Sequence, residues 1–148
     1  MIKYLLDSNI VSKLCHPKVE THKKMIEWFF LLCGDKSLRL YLPEIVDYEV
    51  RRGLTEKALR DSSCKSLERL ERFSQRIDYL PLTTQMWRAA AKLWAEQRIN
   101  GTPTAPSYSL DGDVLLAAQA NSIGGVIVTE NIRHLDRMAK VQNWNTFI

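Results

Sequence analysis

The segment Ile2-Lys3-Tyr4-Leu5-Leu6-Asp7-Ser8-Asn9 joins a short apolar run to a polar turn near the start of a 148-residue chain. A nearly continuous apolar run predicts a β-strand that is covered on both faces, because a strand with one face in water alternates apolar and polar residues. Asp7 ends the predicted strand, and Ser8 or Asn9 can cap the helix that follows. The fold is therefore expected to begin with a buried strand that carries an acidic residue at its carboxyl end.

Apolar periodicity in the rest of the chain predicts further strands in alternation with helices. Strands are predicted over 38–42, 77–82 and 126–129, and helices over 21–32, from Pro43 onward, within 55–75, and over 84–99, 111–122 and 131–138. A loop rich in Gly, Pro, Thr and Ser is predicted over 100–109. Because strands that alternate with helices form parallel sheets covered on both faces, the sequence predicts an α/β fold with a mostly parallel sheet. Ligands of such folds bind beyond the carboxyl ends of the strands.

The composition is that of an ordinary globular protein, with 45% hydrophobic and 26% charged residues. The 21 Lys+Arg and 17 Asp+Glu give a formal net charge of +4, which permits an anionic partner without requiring one. No apolar run reaches the ~18–20 residues needed to cross a bilayer, and the first residues lack a signal-peptide pattern. The cysteines Cys15, Cys33 and Cys64 are widely spaced, which is typical of reduced thiols. We therefore expect one cytoplasmic domain over 1–148, without a membrane span.

Acidic and amide side chains reach one edge of the predicted sheet from distant parts of the chain. Asp7 follows the first strand, Asp113 lies in the predicted first turn of the 111–122 helix, and Asn131 follows the last strand. The carboxyl ends of parallel strands share one edge of a sheet, so these side chains are expected to converge.

A fourth candidate, Glu49, is selected by its spacing in the helix after Pro43. It lies four residues after Ile45 and three after Val46, so it shares their apolar face. An acid on a face that packs inward needs a partner, because burying an unpaired charge is costly.

Each acid also has a structural interpretation when it is taken by itself. Asp7 could be a helix N-cap, Asp113 a first-turn acid, and Glu49 a partner of Arg51 or Arg52. Converging carboxylates repel, however, by about 4 kcal/mol for a pair ~4 Å apart at an effective dielectric near 20. Oxygen ligands favour Mg²⁺ or Mn²⁺, and the scattered histidines disfavour zinc. An ion held in this way can activate water for phosphodiester hydrolysis.

Four segments resemble the four motifs of the PIN domain. Within that family, they are most similar to the motifs of the VapC-type toxin branch. They follow the family's order across nearly the whole chain: Leu5-Leu6-Asp7-Ser8-Asn9-Ile10, Tyr48-Glu49-Val50-Arg51-Arg52-Gly53-Leu54, Asp113-Val114-Leu115-Leu116-Ala117-Ala118 and Val128-Thr129-Glu130-Asn131. The final Asn143-Trp144 also resembles the family's ending. Each motif is loose by itself, but four in order are a fairly specific signal.

The resemblance implies a three-layer α/β/α fold and a Mg²⁺- or Mn²⁺-dependent endoribonuclease, dimeric and inhibited by a small antitoxin protein. It implies that Asp7, Asp113 and Glu49 are catalytic acids and hold the metal, with Glu49 acting through water. The fourth catalytic position, often Asp in PIN domains, is Asn131, which keeps an acceptor oxygen but lacks the charge. Supporting roles are expected for four polar neighbours, of which Asp111 is either an outer acid or the cap of its helix: Ser8, Asn9, Asp111 and Thr129.

RNA binding is expected to involve four basic residues that are close in sequence to the acids: Lys13, Arg51, Arg52 and Arg133. Most other basic residues are interpreted as a solvated helix face, and no RNP-type aromatic signature indicates sequence-specific base stacking. The tryptophans Trp87 and Trp94 are interpreted either as core or as a surface for a second subunit or an antitoxin.

Two alternatives stay open. A PIN module that binds RNA or a protein without catalysis is one, because Asn131 replaces an expected acid. The other is a haloacid-dehalogenase-type phosphatase, since Asp7-Ser8-Asn9-Ile10-Val11 is similar to the DxDx[TV] motif of that family. Asn9 replaces the second acid of that motif, and Ala117 stands where a later acid is needed, so the phosphatase interpretation is weaker.

Overall fold

The computed structural model describes residues 1–16, 18, 22–100 and 107–147. Its strands are β1 (Ile2–Leu6), β2 (Leu38–Pro43), β3 (Asp78–Leu80), β4 (Val126–Val128) and β5 (Val141–Gln142). Its helices are α1 (Ser8–Leu14), α2 (Lys23–Gly34), α3 (Glu44–Arg60), α4 (Ser66–Ser74), α5 (Thr84–Ile99), α6 (Ser107–Ile123) and α7 (Ile132–Leu135). A 3-10 helix, Trp144–Phe147, follows β5.

The five strands form one parallel sheet in the order β3-β2-β1-β4-β5, and helices flank it. β1 is central, since Tyr4 is level with Leu40 of β2 on one side and with Val126 of β4 on the other. The chain builds from β1 outward to β3 and then returns to the opposite side of β1 with β4. A crevice forms beyond the carboxyl ends of the strands where the order reverses in this way. The predicted three-layer α/β/α fold is confirmed, and its topology places the crevice between β1 and β4.

Burial explains why β1 and β4 pair at the centre of the sheet. Leu5 and Leu6 of β1, like Ile127 and Val128 of β4, are fully buried. Each such side chain contributes roughly 1.5–3 kcal/mol relative to its exposed state. The strands can approach closely because Gly125 precedes β4: a Cβ at that position would lie 2.5 Å from Leu5 Cδ1. The buried side chains and Gly125 therefore favour the pairing of β1 with β4, which forms the crevice.

The predicted 77–82 strand and 131–138 helix are shorter in the structure, as β3 and α7, and other elements differ more. The charged stretch 55–75 is divided between α3 and α4, because the Asp61 carboxylate accepts a hydrogen bond from Ser63 N–H at 3.0 Å and forms a turn. α6 begins at Ser107 rather than at 111, and the short strand β5 was not predicted. Residue 21 of the predicted 21–32 helix and residues 101–106 of the predicted loop lie outside the described residues. Within the described ranges, no helix is both long and apolar enough to span a membrane.

Candidate active site

Asp7 lies in the crevice between β1 and β4, where both its backbone and its side chain are fixed. Its N–H donates to Val128 O at 3.0 Å, which extends the β1–β4 pairing past the end of β1. Its Oδ1 accepts a hydrogen bond from Ser8 N–H at 2.7 Å, so Asp7 is the N-cap of α1. The capping interpretation is therefore confirmed for this residue.

The Thr129 hydroxyl, fully buried at the end of β4, is the main contact of the other Asp7 oxygen. Thr129 Oγ1 accepts from Asn131 N–H at 2.9 Å and from Asn9 Nδ2 at 3.3 Å. A hydroxyl has one proton and two acceptor positions, so these two bonds leave the proton directed at Asp7. The observed 2.6 Å contact from Thr129 Oγ1 to Asp7 Oδ2 agrees with this assignment. Thr129 therefore positions the Asp7 carboxylate, and Asn9 supports both residues.

Asp113 is brought into the same pocket by α6. Among the residues that the structure describes, its buried Oδ2 has no hydrogen-bond partner. A histidine lies near it, with His134 Nδ1 at 3.8 Å from Oδ2, which is longer than a hydrogen bond. Because α6 begins at Ser107, Asp113 lies in the second turn of the helix, and the predicted first-turn position is wrong.

Glu49 reaches the pocket from α3, as its shared face with the buried Ile45 and Val46 predicted. Its carboxylate rests against Gly112, where a Cβ would lie 2.9 Å from Glu49 Oε1. Sequence reasoning missed Gly112. A glycine inside a helix costs roughly 1 kcal/mol relative to alanine, so its presence immediately before Asp113 was an available signal.

The three carboxylates are coupled by charge. Burial, followed by the charges of Asp7 and Glu49, raises the pKa of Asp113 to about 7. Burial and the Asp7 charge also raise the pKa of Glu49, while Arg52 opposes this shift. Burial raises the pKa of Asp7 too, although its hydrogen bonds with Thr129 and Ser8 act in the opposite direction. Burial thus raises the pKa of all three carboxyls, and repulsion between the acids raises the pKa values of Asp113 and Glu49 further.

This donor set fits a hard divalent cation on chemical grounds. The ligands are oxygens, Asp113 Oδ2 has an unused acceptor position, and repulsion among the acids would be relieved by positive charge. Across the described residues, no three His, Cys, Asp or Glu side chains are arranged as a metal-binding cluster. Mg²⁺ commonly binds through one or two carboxylates and keeps several waters. The acids of this pocket therefore suit an ion that keeps several of its waters.

Two predicted site residues, Asn131 and Asp111, are exposed, whereas the three acids of the pocket are partly buried. Asn131 is exposed, and its contact with Thr129 is through the backbone N–H. Asp111 is exposed in the second turn of α6, so the expectation that it caps this helix is wrong.

The four basic residues predicted to bind RNA form two groups: two are paired with acids, and two are exposed. Lys13 forms an ion pair with Glu130, and Arg51 is held by Asp47, at 3.0 Å, and by Glu71. These two charges are balanced within the chain.

The other two basic candidates are exposed. The Arg52 guanidinium lies 5.2 Å from the centre of the Tyr48 ring. Arg133 lies in α7, two residues after Asn131.

A groove of about 990 Å³ lies between α3, α5 and α6 and includes Glu49 and Gly112 in its lining. We call it the aromatic groove because Tyr48, Trp87 and Trp94 also line it. The tryptophan stripe of α5 therefore does not act as core throughout: Trp87 is exposed, whereas Trp94 is half-buried.

Known proteins share this architecture. A relative from Salmonella typhimurium (strain LT2), named tRNA(fMet)-specific endonuclease VapC, is 28% identical over 146 residues, covering 97% of this chain and 99% of that protein. The crystal structure of DNA-bound VapBC from Salmonella typhimurium matches with a TM-score of 0.70 and 28% identity, over 97% of this chain and 99% of that one. VapBC2 from Rickettsia felis, bound to a promoter DNA fragment, matches with a TM-score of 0.78 and 19% identity over the same shares.

The fold, the order of the four motifs and these likenesses agree on one family. A sequence model of the PIN domain matches residues 4–141, which include all four motifs. The chain therefore belongs to the PIN-domain family.

Proposed function

We propose that this chain is a divalent-metal-dependent endoribonuclease of the VapC type, the toxin of a toxin–antitoxin pair. The observation that carries the proposal is the buried Asp113 Oδ2, which lacks a hydrogen-bond partner in the described part of the chain and faces the charges of Asp7 and Glu49. A pocket that gathers like charges is suited to a cation, which removes their repulsion. The endonuclease name of the Salmonella typhimurium relative supports the chemistry.

In this proposal Asp7 and Asp113 hold the Mg²⁺ or Mn²⁺, and Glu49 binds one of its waters. When bound, such an ion lowers the pKa of a water and stabilises the charge that develops on the phosphate. Thr129 keeps Asp7 Oδ2 directed into the pocket, while Ser8 N–H fixes Oδ1.

Two further residues complete the proposed site. Asn131 offers a neutral oxygen where other PIN domains have a charge, and Asp111 lies at the entrance, on the lining of the aromatic groove. The basic residues proposed to contact RNA are Arg52 and Arg133, because Lys13 and Arg51 are already paired with acids.

The proposed substrate is RNA in the cytoplasm, and the first RNA to test is initiator tRNA, which is named for the Salmonella typhimurium relative. The proposed partner is an antitoxin protein, since solved VapBC structures match nearly the full chain. We further propose a single domain over 1–148 that acts as a homodimer, to be checked by sedimentation equilibrium of the purified chain.

The test is cleavage of total tRNA by the purified chain with Mg²⁺ or Mn²⁺. We expect cleavage that stops with EDTA and is lost in the Asp113→Asn variant. The matched control is Asp78→Asn, which changes an exposed acid on β3 that pairs with Arg39. Cleavage by Asp113→Asn at the unmodified rate would refute the proposal.

A second candidate function is a PIN module that binds RNA or a protein without catalysis. The observation that favours it is Asn131, which removes one charge from the site. It predicts RNA binding without cleavage under any divalent metal, including when Asn131 is replaced by Asp. The haloacid-dehalogenase-type alternative is not retained, because the chain belongs to the PIN-domain family.

A further inference from the structure

The Lys13–Glu130 ion pair joins the two segments that follow the central strands. Lys13 lies in the last turn of α1, which follows β1 and has Asp7 as its N-cap. Glu130 follows Thr129 at the end of β4. The pair therefore links the two sides of the crevice beside the acid pocket, across 117 residues of sequence.

Each oxygen of the Glu130 carboxylate is held by a different element. Lys13 Nζ binds Oε2, and the indole Nε1–H of Trp144 donates to Oε1 at 3.0 Å. Because only 30% of the Glu130 side chain is exposed, solvent screens this pair less than it screens a fully exposed pair. The carboxylate cannot turn without breaking one of the two contacts. We call Lys13, Glu130 and Trp144 the Glu130 clasp.

The tryptophan of the Glu130 clasp is anchored in the core. Trp144 lies in the 3-10 helix, and its ring centre is 6.0 Å from that of the buried Trp28. Phe147, in the same helix, has its ring centre 5.6 Å from that of Trp28 and 5.1 Å from that of the buried Tyr4. Aromatic pairs at such distances add to the energy gained by burial. The indole N–H is therefore presented to Glu130 from a fixed position.

The backbone of Glu130 connects the Glu130 clasp to Asp7. The Glu130 N–H donates to Asn9 Oδ1 at 3.4 Å, and Asn9 Nδ2 donates to Thr129 Oγ1 at 3.3 Å. Thr129, the residue before Glu130, donates to Asp7 Oδ2 at 2.6 Å. A shift of Glu130 would therefore move Asn9 and Thr129, which both contact this oxygen of Asp7. Because a metal ligand has to be held within about 0.5 Å of its productive position, such a shift is large enough to affect ion binding.

We propose that Glu130 is a positioning residue for Asp7. Held by the other two members of the clasp, it fixes the segment after β4, so that Thr129 and Asn9 keep Asp7 Oδ2 directed into the pocket. The consequence for the ion rests on the proposed function, whereas the ordering of the segment does not. Lys13 then serves the site as the partner of Glu130 and not as a contact of RNA.

The test is Mn²⁺ binding by the purified chain without RNA, measured by titration calorimetry. Glu130→Ala removes both contacts of the clasp, Lys13→Met removes the ion pair, and Trp144→Phe removes the N–H donor. We expect Glu130→Ala to weaken Mn²⁺ binding about 10-fold, the lower end of the range for residues that orient metal ligands, and the other two to weaken it less. Lys13→Met should add little to Glu130→Ala, because changes within one network are not additive. Lys13→Arg keeps the charge and should retain most of the affinity.

A second measurement follows the segment after β4 directly, by amide hydrogen exchange in EDTA read by NMR. The Asn131 N–H donates to Thr129 Oγ1 at 2.9 Å, so its exchange rate reports how often this segment opens. We expect several-fold faster exchange of this amide in Glu130→Ala. Thermal melts of all variants show whether the fold as a whole is retained.

Cleavage kinetics separate a positioning role of Lys13 from a role in RNA binding. With Mg²⁺ and tRNA, the proposal predicts a lower kcat for Lys13→Met with an unchanged KM. If Lys13 contacted RNA, the same variant would instead raise KM, and the slope of log RNA affinity against log salt would fall by about 1.

The matched control is the ion pair between Arg39 of β2 and Asp78 of β3, with 3.1 Å between Arg39 Nε and Asp78 Oδ2. This pair also joins neighbouring parts of the sheet, but it lies toward the amino ends of its strands, away from the acid pocket. Arg39→Met and Asp78→Asn should leave Mn²⁺ affinity, Asn131 exchange and kcat unchanged.

The outcomes are separable. Weaker Mn²⁺ binding together with faster Asn131 exchange in Glu130→Ala, but not in Arg39→Met, supports the proposal. Unchanged Mn²⁺ affinity or unchanged Asn131 exchange in Glu130→Ala overturns it, even if the unmodified chain cleaves tRNA. If the unmodified chain neither binds Mn²⁺ nor cleaves RNA, the proposed function fails, and the exchange rates alone decide whether the clasp orders the segment. Should Glu130→Ala not fold, Lys13→Met and Trp144→Phe provide the same two readings.

Discussion

Asp7 and Asp113 are two partly buried acids in one pocket, yet their hydrogen bonding differs. Both Asp7 oxygens accept hydrogen bonds, from Ser8 on the same turn and from Thr129 on the neighbouring strand. Asp113 Oδ2 lacks a hydrogen-bond partner in the described ranges, and burial with like charges raises the pKa of this acid to about 7. The difference indicates that Asp7 is held in position by the fold, whereas Asp113 retains an unused oxygen that costs stability.

The comparison is tested most strongly by replacing each acid with alanine. Both variants should lose about 10³-fold or more in RNA cleavage, because each removes a proposed ligand of the ion that stabilises charge on the phosphate. Their stabilities without divalent metal should diverge. Asp7→Ala is expected to lose about 1–2 kcal/mol, because the α1 cap and the Thr129 contact are lost.

Asp113→Ala should instead keep or gain stability at pH 8, because it removes a repelled charge and a buried Oδ2 that has no hydrogen-bond partner among the described residues. Urea unfolding of both variants checks this. Equal destabilisation of the two would contradict the contrast between the acids.

The pH dependence of stability sharpens the same contrast. The folded-state pKa of Asp113 is raised to about 7 from an ordinary 3.8, so the folded chain binds the extra proton between these values. Stability should therefore fall as pH rises from 4 to 7, and the loss is complete above 7. Because 23% of the Asp113 side chain is exposed, solvent screens part of this effect. We therefore expect the free energy of unfolding to fall by about 2 kcal/mol, which is less than the full pKa shift would give.

The measurement is urea unfolding in EDTA at pH 5 and pH 8, for the unmodified chain and for Asp113→Asn. The variant should show a smaller decrease between the two pH values. A variant that follows the unmodified chain would show that another group titrates.

Substitutions of Thr129 test whether the proposed catalysis depends on the fixed position of the Asp7 carboxylate. Thr129→Val keeps the shape but removes the hydroxyl, so kcat should fall about 10- to 100-fold, as for other groups that orient a metal-binding residue. Thr129→Ser keeps the hydroxyl and loses a methyl group, so it should retain most of kcat despite a modest loss of stability. Steady-state cleavage and Mn²⁺ titration calorimetry check both variants. If Ser and Val behave alike, the hydroxyl does not position Asp7.

Of these variants, Gly112→Ala is expected to lose the least RNA cleavage. The new Cβ would lie 2.9 Å from Glu49 Oε1, and the end of this flexible side chain can move away. We expect a several-fold loss of cleavage together with unchanged or higher stability, since alanine favours a helix by roughly 1 kcal/mol over glycine.

Gly53→Ala in α3 is the matched control, because within the described structure no neighbour lies within 4 Å of its added Cβ. It should gain similar stability without losing activity. If Gly112→Ala cleaves RNA as well as Gly53→Ala, the fit between Glu49 and Gly112 is unimportant.

Local patterns predicted several elements closely. β1 and α5 have the predicted bounds, and α5 begins at Thr84 because the Thr83 hydroxyl accepts a hydrogen bond from Met86 N–H at 3.2 Å. The division between α3 and α4 was not predicted, although Asp61-Ser62-Ser63 is a typical turn sequence. The convergence of Asp7, Glu49 and Asp113 followed from strand ends and helix spacing, with no knowledge of tertiary contacts.

The remaining features depend on contacts between distant residues. Lys13 forms an ion pair with Glu130, 117 residues later in the chain, which no local pattern indicates. Trp87 and Ala90 lie on one predicted stripe of α5 and both line the aromatic groove, yet Trp87 is exposed and Ala90 is buried. Periodicity identifies a helix face but not whether another element covers it.

The long sequence separation between Asp7 and Thr129 has a consequence for synthesis. These two residues are 122 positions apart, and β1 cannot acquire its β4 neighbour until residues 126–128 have been translated. A nascent chain that ends before β4 has Asp7 without Thr129 and β1 without one of its neighbours. The acid pocket is therefore completed only after β4 and Thr129 have been translated.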